Sequence, residues 1–512
     1  MNRSLNKNKT GWIMAGLLLS ILMASMDNTI VATSMGTIVG ELGGLDKFVW
    51  VTSAYMVAEM AGMPIFGKLS DMYGRKRFFV FGVVVFMLGS ILCGTANSIT
   101  ELSIYRAVQG IGGGALVPIA FTIMFDAVSP ENRGKLMGLF GAVFGMSSIF
   151  GPLLGAYITD YVSWEWIFYI NLPIGLVALS LIAGFYKESH EHSKQRIDWL
   201  GAVTLVCAIV CLIFALELGG KLYAWNSAQI LGLFAGFAVL TVLFLFAETR
   251  AAEPIISFRM FKDRLYATSN LVAMLSGAAF IVASVYIPIF IQGVLGGTAT
   301  NSGLVLLPMM LGTVVTATLG GIVMARLSYR AILLSTLLLL TVGLLLLTTI
   351  SPDTSRLVIT LYMILVGLGI GASFSVLTNA AIHSLPSTQR GAANATLNFL
   401  RSLGMMLGIT IFGILQSHAM TRNLTDAFSG SGANPIPPGI DVKDPYALMA
   451  PSTRALIPEQ ALDAISNGLS SSISGVFAWG LLPALLAVGA AFMMSREKHD
   501  PQAEMEAYAA SH

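Results

Sequence analysis

Fourteen stretches of about 20 mostly apolar residues run through this chain, each long enough to cross the hydrocarbon core of a bilayer as a helix. They lie near 11–33, 48–66, 78–97, 101–125, 136–160, 166–186, 198–218, 228–249, 266–290, 300–324, 331–350, 355–383, 392–416 and 472–495. The sequence therefore predicts an all-α polytopic membrane protein. Composition points the same way. Charged residues make up 11% of the 512, against about 25% in a soluble domain, too few to cover that much globular surface. A net charge of +2 with no basic run excludes a nucleic-acid partner. Cys93, Cys207 and Cys211 all lie in apolar runs and read as small buried hydrophobes, with no outer-loop pair for a disulfide.

Lysine and arginine set the expected orientation. With the N-terminus inside, 21 of the 29 fall in inner segments and 6 in outer ones, leaving Arg106 and Arg401 within spans. An even number of spans then puts both termini in the cytoplasm. The first stretch, preceded by Arg3, Lys7 and Lys9, is too long for a signal-peptide core and is expected to be a retained anchor. One long outer loop is expected near 417–471, with irregular Gly-, Ser- and Pro-rich runs followed by a short amphipathic helix at 458–469.

The chain repeats itself at a constant offset of 257 residues. Tyr105, Gly110, Gly112, Gly114 and Ala115 recur as Tyr362, Gly367, Gly369, Gly371 and Ala372; Arg133-Gly134 recurs as Arg390-Gly391, and Gly151 as Gly408. The expected organisation is an N-terminal six-helix bundle over 1–186, a linker with two inserted helices over 187–264, and a C-terminal six-helix bundle over 265–512. Parallel repeats of this kind suit transporters, in which two bundles rock about a midplane site.

An intramembrane charge is costly and needs a partner. Counted along their helices at ~1.5 Å per residue, Asp27 and Arg106 lie ~24 Å and ~22 Å above the inner edge of a ~30 Å core. They share a depth, so Asp27 is the natural partner of Arg106. An acid that titrates beside a cation makes a proton switch, and a permanent bridge is the bland alternative. Gln109 adds a polar group to the Arg106 helix. Glu59 and Arg401 lie at ~12 Å and ~13 Å by the same count, and a pair between them would serve as a gate latch, a substrate-site element or a static bridge. Met23, Met26 and Met60 crowd the first two spans, where flexible thioethers suit either varied apolar ligands or ordinary packing.

Two further motifs complete the set. The loop Gly67-Lys-Leu-Ser-Asp71-Met-Tyr-Gly74-Arg75-Lys76-Arg77 carries an acid able to cap a helix N-terminus or to pair with an arginine. Gly134, Gly138, Gly141 and Gly145 form one small-residue face that runs into Gly151-Pro152-Leu-Leu-Gly155, where Pro152 removes a backbone hydrogen bond.

The Gly67–Arg77 loop matches the signature loop of the major facilitator superfamily. Together with Asp27-Asn-Thr-Ile-Val31, Trp50-Val-Thr-Ser-Ala-Tyr55, Trp164-Glu-Trp-Ile-Phe-Tyr-Ile-Asn171-Leu-Pro173-Ile-Gly175 and Asp198-Trp-Leu-Gly201, the chain resembles the fourteen-span drug:proton antiporter family of that superfamily, the QacA/EmrB type. The Gly151-Pro152 element is similar to the antiporter motif of its drug exporters, with Ala156 where the family has a second terminal glycine. The resemblance implies two six-helix bundles with two inserted helices, and proton-driven efflux of amphipathic drugs across the cell membrane. It implies coupling through Asp27 and Arg106, and a cytoplasmic gate relay of Asp71, Arg75 and Asp126. The expected partners are small lipophilic molecules, protons and the bilayer. The energy source is the proton motive force with no cofactor, and the functional unit is a monomer. Acids expected in the second-half spans of dication exporters are missing, so monocationic, zwitterionic or neutral drugs are equally in view.

A dedicated exporter or importer of one metabolite or antibiotic on the same fold is the competing reading. An enzyme is not expected. The six histidines are scattered, no metal-ligand spacing or nucleophile–base set occurs, and no phosphate-cradling motif is present.

Overall fold

The structure is a computed structural model. It describes residues 7–42, 49–128, 130–187, 198–220, 222–251, 254–297, 299–383, 385–386, 389–428 and 459–498. Fourteen long helices follow one another through them. They are α1 (Lys7–Leu42), α2 (Val49–Tyr73), α3 (Arg75–Cys93), α4 (Ile99–Ala127), α5 (Pro130–Tyr161), α6 (Asn171–Phe185, preceded by the single turn Trp166–Tyr169), α7 (Trp199–Leu218), α8 (Ala228–Arg250), α9 (Arg264–Ile289), α10 (Ala299–Val323), α11 (Tyr329–Leu347), α12 (Arg356–Ile382), α13 (Arg390–Phe428) and α14 (Glu459–Phe492). Gly219 and Tyr223 form an isolated β-bridge.

Twelve helical segments are long and apolar enough to cross a membrane, where the sequence alone leads one to expect fourteen. The other two are α2, whose apolar residues are interrupted by Ser53, Tyr55, Glu59 and Pro64, and α5, of which many side chains before Phe150 lie outside the described residues. The outer loop expected near 417–471 is shorter than that, and the helix expected at 458–469 is continuous with the last span. The last two helices extend into it, so that α13 continues to Phe428 and α14 begins at Glu459. The reason is packing. Met420 and Leu424 bury themselves, as do Ile465 and Leu469, each pair at the i, i+4 spacing of one helical face. The Asn423 amide donates to the Gly468 carbonyl at 3.2 Å and Gln416 to Ser472 Oγ at 3.3 Å, so the two extensions form a helical hairpin. Residues 429–458 lie outside the described residues.

The chain divides into two compact units. One comprises residues 1–270, 378–400 and 498–512; the other comprises 271–377 and 401–497. The first holds α1 to α8, the first turns of α9, the end of α12 and the first turns of α13. Within it, α4 packs on α2 and α3, α1 packs on α5 and α6, and α7 pairs with α8. Small residues permit these approaches, as expected where lipid offers no hydrophobic drive between helices. A Cβ at Gly89 of α3 would stand 2.5 Å from the Cα of Gln109 on α4. In the second unit α11 packs on α14. Cys93 is buried, Cys207 and Cys211 are half-buried, and all three are free thiols.

The α3–α4 contact yields a stability prediction. Gly89→Leu should destabilise the protein by about 1–3 kcal/mol through overpacking, read as a lower melting temperature in detergent. Gly232→Leu, at a position with nothing within 4 Å, should leave the melt unchanged.

Candidate functional site: a buried ion pair and a helix-capping acid

The centre of the first unit is a polar network enclosed by α1, α2, α3, α4 and α6. Asp27 of α1 and Arg106 of α4 form an ion pair whose two side chains are both 0% exposed. Arg106 donates through one Nη to an Asp27 carboxylate oxygen, and the same nitrogen donates to Gln109 Oε1 at 2.6 Å. The other Asp27 oxygen accepts from Gln109 Nε2 at 2.8 Å and from Asn171 Nδ2 at 2.9 Å. Ser90 Oγ accepts from the same two amides, at 2.8 Å and 3.2 Å. The guanidinium also lies 4.2 Å from the centre of the Tyr55 ring. A buried charge pair survives only when its remaining lone pairs and protons are also satisfied, and these amides do that for Asp27.

Residue composition explains the placement. One helical turn brings Gln109 beneath Arg106 on α4, so both reach α1 from one face. Asn171 opens α6 and reaches the same Asp27 oxygen as Gln109. Asn171 and Ser90 carry no expected role in the sequence. Neither is charged, and a neutral polar residue inside an apolar span costs too little to stand out. The available signal was Asn171 itself, an amide between the apolar runs Trp166–Ile170 and Leu172–Ile174. Its Oδ1 is buried without a hydrogen-bond partner among the described residues.

A second cluster sits at the end of α2. Arg75 donates to Asp71 at 3.1 Å and to Asp126, and Tyr186 donates to the same Asp126 oxygen at 3.4 Å. The free oxygen of Asp71 accepts from the backbone N–H of Ala392 at 2.8 Å, in the first turn of α13. Asp71 thus pairs with an arginine and also caps a helix whose N-terminal amides have no partners of their own and carry partial positive charge. Gly67 faces Ala395 and the Gly391 carbonyl, so a side chain there would separate α2 from α13. Gly74, at φ 113°, makes the turn into α3, a conformation that favours glycine. Arg77 is exposed.

The α5 motif packs against α1 just beyond Asp27. Thr29 and Thr33 close over Gly151 and Gly155, and Thr29 Oγ1 donates to the Ser147 carbonyl at 3.0 Å. Pro152 lies within the helix between them, and Gly145 belongs to the same helix. Met23, Met26 and Met60 are buried, and Met23 packs at Gly175 beside Met87. Glu59 is half-buried on α2. Arg401, in the second unit, donates to the Ser373 carbonyl at 3.4 Å and lies 4.7 Å from the Phe374 ring centre. A Glu59–Arg401 pair would join residues of different units and stays an expectation.

The model of the Major Facilitator Superfamily matches residues 17–409. The chain belongs to the major facilitator superfamily. It is 53% identical over 497 residues to "Multidrug resistance protein 3" of Bacillus subtilis (strain 168), covering 97% of each chain. It is 35% identical to "Multidrug transporter protein MdtP" of the same organism, over 99% of this chain and 98% of that one. Among solved structures it resembles the proton:xylose symporter XylE with a TM-score of 0.59 at 14% identity, covering 94% of this chain and 95% of that one, a likeness of fold. The chain is accordingly a multi-pass membrane transporter of small molecules and not an enzyme.

The buried pair makes a quantitative prediction. Asp27→Ala strands the Arg106 charge and should cost about 3–5 kcal/mol. Asp27→Ala with Arg106→Leu removes both charges and should recover a large part of that loss, as read by denaturant or thermal melts in a double-mutant cycle.

Proposed function

We propose that this superfamily member is a proton-coupled multidrug exporter of the fourteen-span drug:proton antiporter family. It works as a monomer in the cytoplasmic membrane, with both termini inside, no cofactor, and the proton motive force as its energy source. The likeness to a relative named for multidrug resistance, over nearly its whole length, supports the drug-efflux part of this reading. Helices α2 and α5 complete the fourteen spans. Their 25 and 32 residues reach ~38 Å and ~48 Å at ~1.5 Å per residue, enough for a ~30 Å core.

The observation that carries the coupling is the wholly buried Asp27–Arg106 pair. A proton arriving on Asp27 removes the charge that holds Arg106, and the loss of a proton restores it. Thr29, two residues beyond Asp27, is the α1 residue that closes over Gly151, so a shift of α1 passes directly to α5. The Asp71 cap on α13, together with Arg75 and Asp126, acts as the cytoplasmic latch. Asp27, Glu59, Arg106 and Arg401 sum to zero formal charge, which fits lipophilic substrates that are neutral, zwitterionic or singly charged.

Energised inverted vesicles carrying a pH-sensitive dye test this reading. Wild-type protein should move protons when drugs are added, and Asp27→Asn, inserted at equal level, should not. Drug-evoked proton movement that survives Asp27→Asn would assign coupling elsewhere. Drug transport with no proton movement in the wild type would refute antiport.

A further inference from the structure

A cavity of about 510 Å³ opens in the first unit, beside the segment that joins α8 to α9. Lys68, Arg259 and Lys262 line it, together with the carboxylates Glu248 and Asp263. Both carboxylates are committed to backbone. Glu248 accepts from the amides of Ile255 and Ile256 at 3.1 Å and 3.3 Å, folding the segment over the end of α8. Asp263 accepts from Leu265 at 2.7 Å and from Tyr266 at 3.1 Å, capping α9. Arg259 and Lys262 are exposed, and neither takes part in an ion pair among the described residues. Phe258 and Met260 supply an apolar wall to the same cavity.

From this arrangement we infer that the cavity is a binding site for a phosphate-bearing anion, distinct from the Asp27–Arg106 network. The lining carries three cations against two carboxylates, and Arg259 and Lys262 are in no ion pair among the described residues; a guanidinium binds phosphate oxygens in forked geometry. The volume falls in the range of small-molecule sites. An adjoining apolar wall would accept the glycerol and first methylenes of a phospholipid, and a soluble phosphate ester offers the same head. The orientation proposed above puts the site on the cytoplasmic face, where anionic lipid headgroups concentrate. Ala392 also lines it, so a bound anion would neighbour the α13 turn that Asp71 caps.

Binding to the purified full chain, followed by melting temperature in detergent, tests the site without requiring transport. The probes are phosphatidylglycerol, glycerol 3-phosphate and, as a neutral-headgroup control, phosphatidylcholine. Phosphatidylglycerol should raise the melting temperature of the wild type, and phosphatidylcholine should not. Arg259→Gln with Lys262→Gln should weaken that binding about twenty- to thirtyfold, from about 1 kcal/mol per cation. Arg326→Gln with Arg496→Gln, removing two exposed cations elsewhere, should keep wild-type affinity. Ser257→Glu, which places an acid among the cavity cations, provides a second variant and should abolish the response. If glycerol 3-phosphate shifts the melt and the same variants remove the shift, the source is a soluble phosphate; a response to the lipid alone identifies a headgroup. Wild-type affinity in the cavity variants, or no response to either phosphate in the wild type, would overturn the site. A chain that binds the anion but moves no protons would fail only the proposed export function.

Discussion

Everything central to the first unit is arranged around one carboxylate that has been taken out of water. Asp27 and Arg106 both have fully buried side chains, and neither would survive there alone. The consequence spreads through three neighbouring helices. α4 must present Gln109 on the same face as Arg106, α6 must begin with an amide, and α3 must supply Ser90 while approaching closely enough to put Gly89 against Gln109. The pair therefore dictates packing as well as charge.

The second acid, Asp71, does related work by different means. It balances a cation on its own side and terminates a helix from a distant part of the chain. A carboxylate at a helix N-terminus gains from both the unpartnered amides and the helix dipole, and a single side chain can make or break that contact. Gly67 and Gly74 make sense in this light. One allows α2 to lie against α13, and the other turns the chain so that Arg75 comes back over Asp71 and Asp126.

Charge made much of this legible in the sequence. So few charged residues occur within the apolar runs that Asp27 and Arg106 stand out, and counting along two antiparallel helices brings them to one depth. The dual capacity of Asp71, cap and ion-pair partner, was likewise readable from its loop. Of the neutral groups only Gln109 was, from its place one turn from Arg106. Asn171 and Ser90 complete the Asp27 shell, but an amide and a hydroxyl in apolar surroundings resemble many others that merely bond to their own helix. The start of α14 was legible as an amphipathic helix at 458–469, but the extension of α13 to Phe428, and its pairing with α14, were hidden for another reason. Gly, Ser and Pro between them dominate local composition, while Met420, Leu424, Ile465 and Leu469 reveal the helical hairpin only once paired across it. A charge pair between units, such as Glu59 with Arg401, depends on an arrangement that depth counting does not supply.

The claim on which the proposed mechanism rests is that Asp27 itself exchanges the coupled proton. Proton release on drug binding, measured with a pH indicator on purified protein in weakly buffered detergent, addresses it most directly. The account predicts that wild-type protein releases protons as drug binds, and that Asp27→Asn still binds drug but releases none. Equal release from wild type and Asp27→Asn would contradict it.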